Sequence, residues 1–185
     1  FTNGEFHESE ALVYLGSAGG LAASPVWHAE GDAFLASVGS SVASAGDVNG
    51  DGFADVIVGA IGFSNDQVRE GRVFVFLGSP TGLAQSPAWF VDGDQQDSQF
   101  GQSVASAGDV NGDGFGDVII GAPYITDPEG FEGRAAVYLG SATGLATNPA
   151  WKAEGNQLGA HFGLPVASAG DVNGDGFGDV IVGAQ

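Results

Sequence analysis

The sequence contains no cysteine, no methionine and only four basic residues, Arg69, Arg72, Arg134 and Lys152. Without cysteine there can be no disulfide and no thiolate metal site, and the redox compartment is left undetermined. Four cations against 23 acidic residues give a formal charge of −19. That balance argues against nucleic acid as a partner, because affinity for a phosphate backbone comes largely from Lys and Arg releasing counterions. It argues equally against an anionic membrane surface. Long apolar runs are missing too. None approaches the ~18–20 residues of a membrane helix, so no membrane insertion is expected. A chain with no methionine is expected to be a processed product or a piece of a longer protein, so a missing leader carries no information about secretion. The charge favours divalent cations, basic partners or solubility in salty surroundings.

What the sequence does have is periodicity. Ser-Val-Ala-Ser-Ala-Gly-Asp-Val-Asn-Gly-Asp-Gly-Phe occupies 41–53 and returns at 103–115, then at 165–177 with Pro165 in place of the first Ser. The spacing is 62 residues, without insertion or deletion. Tyr14-Leu15-Gly16-Ser17, Phe76-Leu77-Gly78-Ser79 and Tyr138-Leu139-Gly140-Ser141 keep the same period, as do Trp27, Trp89 and Trp151.

Each unit reads as four strands. Phe100 to Val110, small and β-branched, runs into an Asp/Gly-rich turn, and Asp117 to Gly121 leaves it, so the two form a hairpin. A break through Thr126, Asp127, Pro128, Glu129 and Gly130 precedes a third strand at 134–139. A fourth strand follows at 150–154, and no segment carries a helical period of the required ~10–12 residues. Strands alternate their side chains across a sheet. Val73-Phe74-Val75-Phe76-Leu77, apolar throughout, therefore needs cover on both faces, as in a blade sandwiched between neighbours. The small residues Ala105, Ser106, Ala107 and Gly108 suit an innermost strand near a crowded axis. The expected fold is all-β, made of four-stranded antiparallel β-propeller blades; a β-sandwich or linear β-array is the alternative.

Phe1 aligns with Phe63 and Gln185 with Pro123. Residues 1–185 are thus expected to form one propeller region, divided near 1–37 (half-blade), 38–99 (blade), 100–161 (blade) and 162–185 (half-blade).

The chemistry is concentrated in one loop. Asp47, Asn49, Asp51 and Asp55 stand at positions 1, 3, 5 and 9 of a nine-residue stretch, with the carbonyl of Phe53 available at position 7. The same set recurs as Asp109, Asn111, Asp113, Phe115 and Asp117, and as Asp171, Asn173, Asp175, Phe177 and Asp179. Hard Ca²⁺ takes six to eight oxygens in a flexible cage, and glycine at position 6 permits the sharp turn. The opening is similar to an EF-hand loop, but position 12 holds Val58, Ile120 and Val182 instead of Glu, and no helices flank it. Mg²⁺, which demands octahedral geometry and keeps its waters, fits less well. A plain hairpin turn needs only one Asn-Gly or Asp-Gly dipeptide. Three carboxylates held ~4 Å apart would repel by roughly 4 kcal/mol per pair at an effective dielectric of ~20, a liability without a cation. Three Ca²⁺ sites, one per repeat, are expected.

Phe100-Gly101 before the loop and Gly121-Ala122-Pro123 after it resemble the FG-GAP repeat, the blade of the integrin α-chain propeller and its bacterial relatives. The resemblance implies a ring, usually of seven blades, with Ca²⁺ in the first hairpin loop for structural support. Departures are Val38-Gly39 and Gly59-Ala60-Ile61 in the first copy and Gly183-Ala184-Gln185 in the last. Three copies fall short of the family's ring, so self-association or completion by further blades of a parent protein is expected.

The three tryptophans fit either repeated packing or stacking on sugar rings. His7, His28 and His161 occupy three different repeat positions, which argues against a shared metal or catalytic site. No nucleophile, base and orienting group can be assembled, so no enzymatic activity is expected. Segments 1–8, 63–70 and 125–132 differ most between copies and lie on the face opposite the calcium loops, where either recognition or drift accounts for them. The expected protein is a secreted or cell-surface scaffold for adhesion or for protein or glycan recognition. A calcium-dependent lectin and a non-catalytic module of a secreted enzyme are the alternatives.

Overall fold

The computed structural model describes residues 9–31 and 37–185. Their regular structure is β-strand, with no helix among the described residues. The strands are β1 (Glu10–Val13), β2 (Gly16–Ser17), β3 (Gly20–Leu21), β4 (Trp27–Glu30), β5 (Val38–Gly46), β6 (Asp55–Ala60) and β7 (Arg72–Phe76). There follow β8 (Trp89–Asp92), β9 (Ser103–Gly108), β10 (Asp117–Ala122), β11 (Arg134–Tyr138), β12 (Trp151–Glu154), β13 (Val166–Gly170) and β14 (Asp179–Val182).

Two four-stranded antiparallel meanders, β5-β6-β7-β8 and β9-β10-β11-β12, stand between two-stranded sheets, β1-β4 and β13-β14, with β2-β3 a small separate hairpin. Register repeats with the sequence: Val56 faces Phe76 and Val118 faces Tyr138. A bulge interrupts each first hairpin just before its loop, where Gly46, Gly108 and Gly170 adopt positive φ. These are the expected propeller blades.

The first strand expected at 100–110 is shorter than its composition suggested, because β9 begins at Ser103. Gln99 (φ 51°) and Gly101 (φ 86°) turn the chain there. The N–H of Phe100 donates to the carbonyl of Glu70 at 3.0 Å, so this residue bonds to the preceding unit and not to its own sheet.

Side-chain alternation explains the doubly apolar strands. Ile57 packs into a core shared with the following sheet, alongside Val118, Ile120 and Tyr138. Its neighbour Val58 packs into a different core with Ala11, Trp27 and Phe76. One unit later Ile119 joins a third core with Val137 and Val166. Each core is therefore a face-to-face interface between successive sheets.

The first strands β5, β9 and β13 lie beside one another, and the segments leading into β9 and β13 pass close over glycines in the second strand of the preceding sheet. A Cβ on Gly59 would lie 2.2 Å from the Gly101 carbonyl oxygen, and one on Gly121 only 1.9 Å from that of Gly163. The Ser41 hydroxyl donates to Gly101 O at 2.6 Å across the same seam.

Candidate metal centre

The bulged hairpins place each Asp-rich loop at one end of its sheet, and in the first two copies it lies beside the connection between third and fourth strands. Asp47 organises its loop from within. Its Oδ1 accepts from the N–H groups of Gly50 (2.7 Å) and Asp51 (3.0 Å), and its Oδ2 from Gly52 (2.7 Å). Asp51 Oδ1 accepts from Phe53 N–H at 2.9 Å, and the Asn49 amide donates to Asp51 Oδ2 at 3.0 Å. Asp55 closes the loop: Oδ2 accepts from Val48 N–H and Oδ1 from Gly78 N–H, both at 2.8 Å.

The second copy repeats this arrangement on Asp109, Asn111, Asp113 and Asp117. In the third, Asp171, Asn173, Asp175 and Asp179 repeat all of it except the bond from the connection after the third strand. Asp55 and Asp117 are fully buried, whereas Asp179 is half-exposed.

The electrostatics divide the loop into two kinds of carboxylate. Burial pushes Asp55 above the usual range; hydrogen bonds from Gly78 and Val48 oppose this, and the nearby Asp51 and Asp47 charges add to it. Asp117 is raised for the same reasons, with Asp113 and Asp109 as its neighbours. Position 1 goes the other way. Slight burial of Asp109 is outweighed by N–H donors from Gly114, Gly112, Asp113 and Asn111, which hold it low. Asp171 is held low chiefly by the N–H of Gly176. The backbone thus favours the ionised form of Asp109 and Asp171, while Asp55 and Asp117 are penalised by burial and by their own neighbours.

The structure brings each set of side chains into one loop but does not aim them at one point. Among the described residues, no three Asp, Glu or His groups converge as metal ligands. The donor chemistry nonetheless fits a hard cation, since every ligand candidate offers oxygen. A carboxylate oxygen that accepts one N–H also keeps a further lone pair.

The tryptophans act in packing at two of three positions. Trp27 is buried edge-on to Phe76, with ring centroids 4.8 Å apart, and its Nε1–H donates to Ala84 O at 2.8 Å. Trp89 meets Tyr138 in the same way at 5.3 Å. Trp151 is 42% exposed. Of the histidines, His7 lies outside the described residues, as does segment 1–8, and His28 and His161 belong to different units.

At the opposite end, two features escaped the sequence. Glu70 and Glu132 are buried beneath the loops between second and third strands. Glu70 Oε1 accepts from Asn65 and Asp66 N–H, and Oε2 from Gln67 N–H, so the carboxylate holds the 63–70 loop by its backbone. Glu132 does this through Asp127 N–H alone. The second feature is arginine. Arg72 pairs with Asp92 beneath the rings of Phe63 and Phe90, with centroids 3.8 and 4.4 Å from its guanidinium carbon. Arg134 pairs with Glu154 in its own sheet and with Asp94 in the preceding connection. The 62-residue identity of these positions was the signal available for both.

A family model for the FG-GAP repeat matches residues 38–76, 100–138 and 165–185. Among curated proteins, integrin alpha-4 of Xenopus laevis is 34% identical over 154 residues, covering 81% of this chain and 14% of the relative. Integrin alpha pat-2 of Caenorhabditis briggsae is 38% identical over 157 residues, covering 75% of the chain and 12% of the relative. Human integrin alpha-7 is 35% identical over 164 residues, covering 83% and 13%. The chain therefore spans a small fraction of the length of these relatives.

Proposed function

The chain belongs to the FG-GAP repeat family, and from that premise we propose that it is a calcium-stabilised extracellular β-propeller scaffold that binds and does not catalyse. The observation that carries the reading is the recurrence of one oxygen-donor loop, centred on Asp47 to Asp55, at Asp109 to Asp117 and Asp171 to Asp179. The protein divides into a half-blade at 1–37, blades at 38–99 and 100–161, and a half-blade at 162–185. Each loop would hold Ca²⁺ with the side chains at positions 1, 3, 5 and 9 and the carbonyl of Phe53, Phe115 or Phe177. A bound Ca²⁺ supplies the positive charge that offsets the repulsion among these carboxylates. The chain's own contribution is to fix the donors: loop N–H groups orient the position-1 carboxylates, and Gly78 and Gly140 orient the position-9 carboxylates.

The similarity to integrin alpha chains supports placement outside the cell or at its surface, and a role in adhesion. Protein or glycan ligands would meet the loops at 63–70 and 125–132, which are anchored from beneath and vary at their tips. Extracellular calcium modules bind at ~10⁻⁴–10⁻³ M, and a ligand that binds only the native state raises stability by mass action. Thermal melts in millimolar Ca²⁺ and in excess EDTA are expected to differ by many degrees; superimposable melts overturn the reading. Asp113→Ala is expected to leave two calcium ions per chain by native mass spectrometry where the parent protein holds three.

A further inference from the structure

Neighbouring candidate metal loops are joined through their own backbones. The carbonyl of a loop's first Asp accepts from the position-8 N–H of the following loop: Gly116 N–H to Asp47 O at 2.7 Å, and Gly178 N–H to Asp109 O at 2.6 Å. A peptide group is planar, so the N–H of Gly116 moves rigidly with the carbonyl of Phe115. That carbonyl is the position-7 donor proposed for the second loop. One peptide plane therefore carries a candidate ligand oxygen of one loop and grips the backbone of the loop before it. The peptide between Phe177 and Gly178 stands in the same relation to Asp109.

Asp47 is the residue around which the first loop is organised. Its carboxylate accepts the N–H groups of Gly50, Asp51 and Gly52, so whatever fixes its backbone fixes the loop. Two further contacts remove slack from the junction. The Phe115 ring covers Gly50, where a Cβ would lie 2.7 Å from it, and Phe177 covers Gly112 at the same distance. In the connection after β11, Gly140 N–H donates to Asp117 Oδ1 at 2.8 Å, while Ser141 N–H donates to Val48 O at 3.1 Å. Adjacent residues thus hold the position-9 carboxylate of the second loop and the position-2 carbonyl of the first.

Resting on the calcium reading above, we propose that neighbouring loops bind their cations cooperatively, coupled through the 115–116 and 177–178 peptides. Ordering the second loop fixes the Phe115 carbonyl, hence the Gly116 N–H, hence the backbone from which the Asp47 carboxylate projects. The first loop then has less freedom left to lose when it is filled, and its affinity rises. Linkage makes the effect reciprocal. Charge alone acts in the opposite sense, because an empty loop is more negative than a filled one and would strengthen cation binding next door. The sign of the coupling therefore separates the two causes.

A calcium titration followed by nuclear magnetic resonance tests this, with the Gly50 and Gly112 amides each reporting its own loop. Asp113→Ala alters only the second loop, yet the midpoint at Gly50 is expected to rise roughly fivefold or more, the low end for coupled sites. Asp175→Ala, in the third loop, should raise the midpoint at Gly112 likewise. Gly116→Ala places a Cβ 3.0 to 3.2 Å from the Asp47 backbone and strains the bridge without removing a candidate ligand. Alanine is compatible with the loop itself, since Ala54 holds this position in the first copy. In that background the effect of Asp113→Ala on Gly50 should shrink. Midpoints that stay in place, or that fall as charge alone dictates, overturn the coupling. So does a shift that survives Gly116→Ala in full. In each of these cases three ions counted on the parent chain by native mass spectrometry leave the calcium reading standing, whereas a parent chain that binds none overturns both.

Discussion

The indole N–H of Trp89 donates to the carbonyl oxygen of Ala146 at 3.1 Å, reaching 57 residues along the chain into the next sheet. Its ring meets Tyr138 at 69° and 5.3 Å. The repeated tryptophan is thus a tie between blades, with a polar end and an apolar body, and its period follows from the period of the sheets. Trp89→Phe keeps most of the ring and removes the donor. The expected loss is about 1 kcal/mol, the net worth of one hydrogen bond, measured by urea unfolding; an unchanged midpoint would show that the bond adds nothing.

Gly121, in β10, lies against the segment that leads into β13 of the next sheet. A Cβ there would approach the Gly163 carbonyl oxygen to 1.9 Å, and backbone cannot swing aside as a side chain can. Gly114, by contrast, has φ of 89° and open space around its missing Cβ. Gly121→Ala is expected to cost at least about 3 kcal/mol, the upper end of overpacking effects. Gly114→Ala should cost only the strain of an L-residue in the left-handed region, about 1 kcal/mol. Comparable losses in chemical denaturation would mean that the close approach yields more easily than its geometry implies.

Much of this was legible in the sequence, and the reason is repetition. Strand order, hairpin positions and the donor loops repeat at one spacing, so each local reading was made three times over. What could not be read were contacts that depend on two units at once. Phe100 reads as strand by composition, yet its N–H belongs to Glu70 of the unit before. Glu70 and Glu132 close segments 63–70 and 125–132, which differ most between copies, yet both are buried. The donor types of the metal loops were readable as well; the direction of each oxygen was not, because loop N–H groups compete for the carboxylates.

Glu70 satisfies three backbone donors, whereas Glu132 is equally buried but has one oxygen, Oε2, with no hydrogen-bond partner. Glu70→Ala is therefore expected to cost about 1–3 kcal/mol, and Glu132→Ala distinctly less. Hydrogen exchange at Asn65, Asp66 and Gln67 should accelerate in the first variant. If the two variants melt together and exchange does not change, the carboxylate is not what holds the 63–70 loop.

Tyr138 is buried, which pushes its phenol up to about 12; Asp94 adds to the shift and Arg134 opposes it. Its folded value lies above the ordinary value of about 10. The associated stability is therefore fully present below pH ~10 and is lost as pH rises towards ~12. A spectrophotometric titration should show one of the three tyrosines ionising late, together with alkaline loss of stability. A Tyr138→Phe variant that leaves both profiles unchanged would refute the assignment.

Alternation along the second strands has a consequence for how the molecule comes apart. Ile57 lies in one interface and Val58 in another, and Ile120 and Ile119 divide in the same way. No unit therefore owns a hydrophobic core; each contributes one wall to two cores shared with its neighbours. Stability then resides in nearest-neighbour terms, as in an array where each member is folded only because the next one is. Losing one sheet strips a wall from both adjoining interfaces at once. A local opening at either of the two four-stranded sheets therefore becomes a collective event.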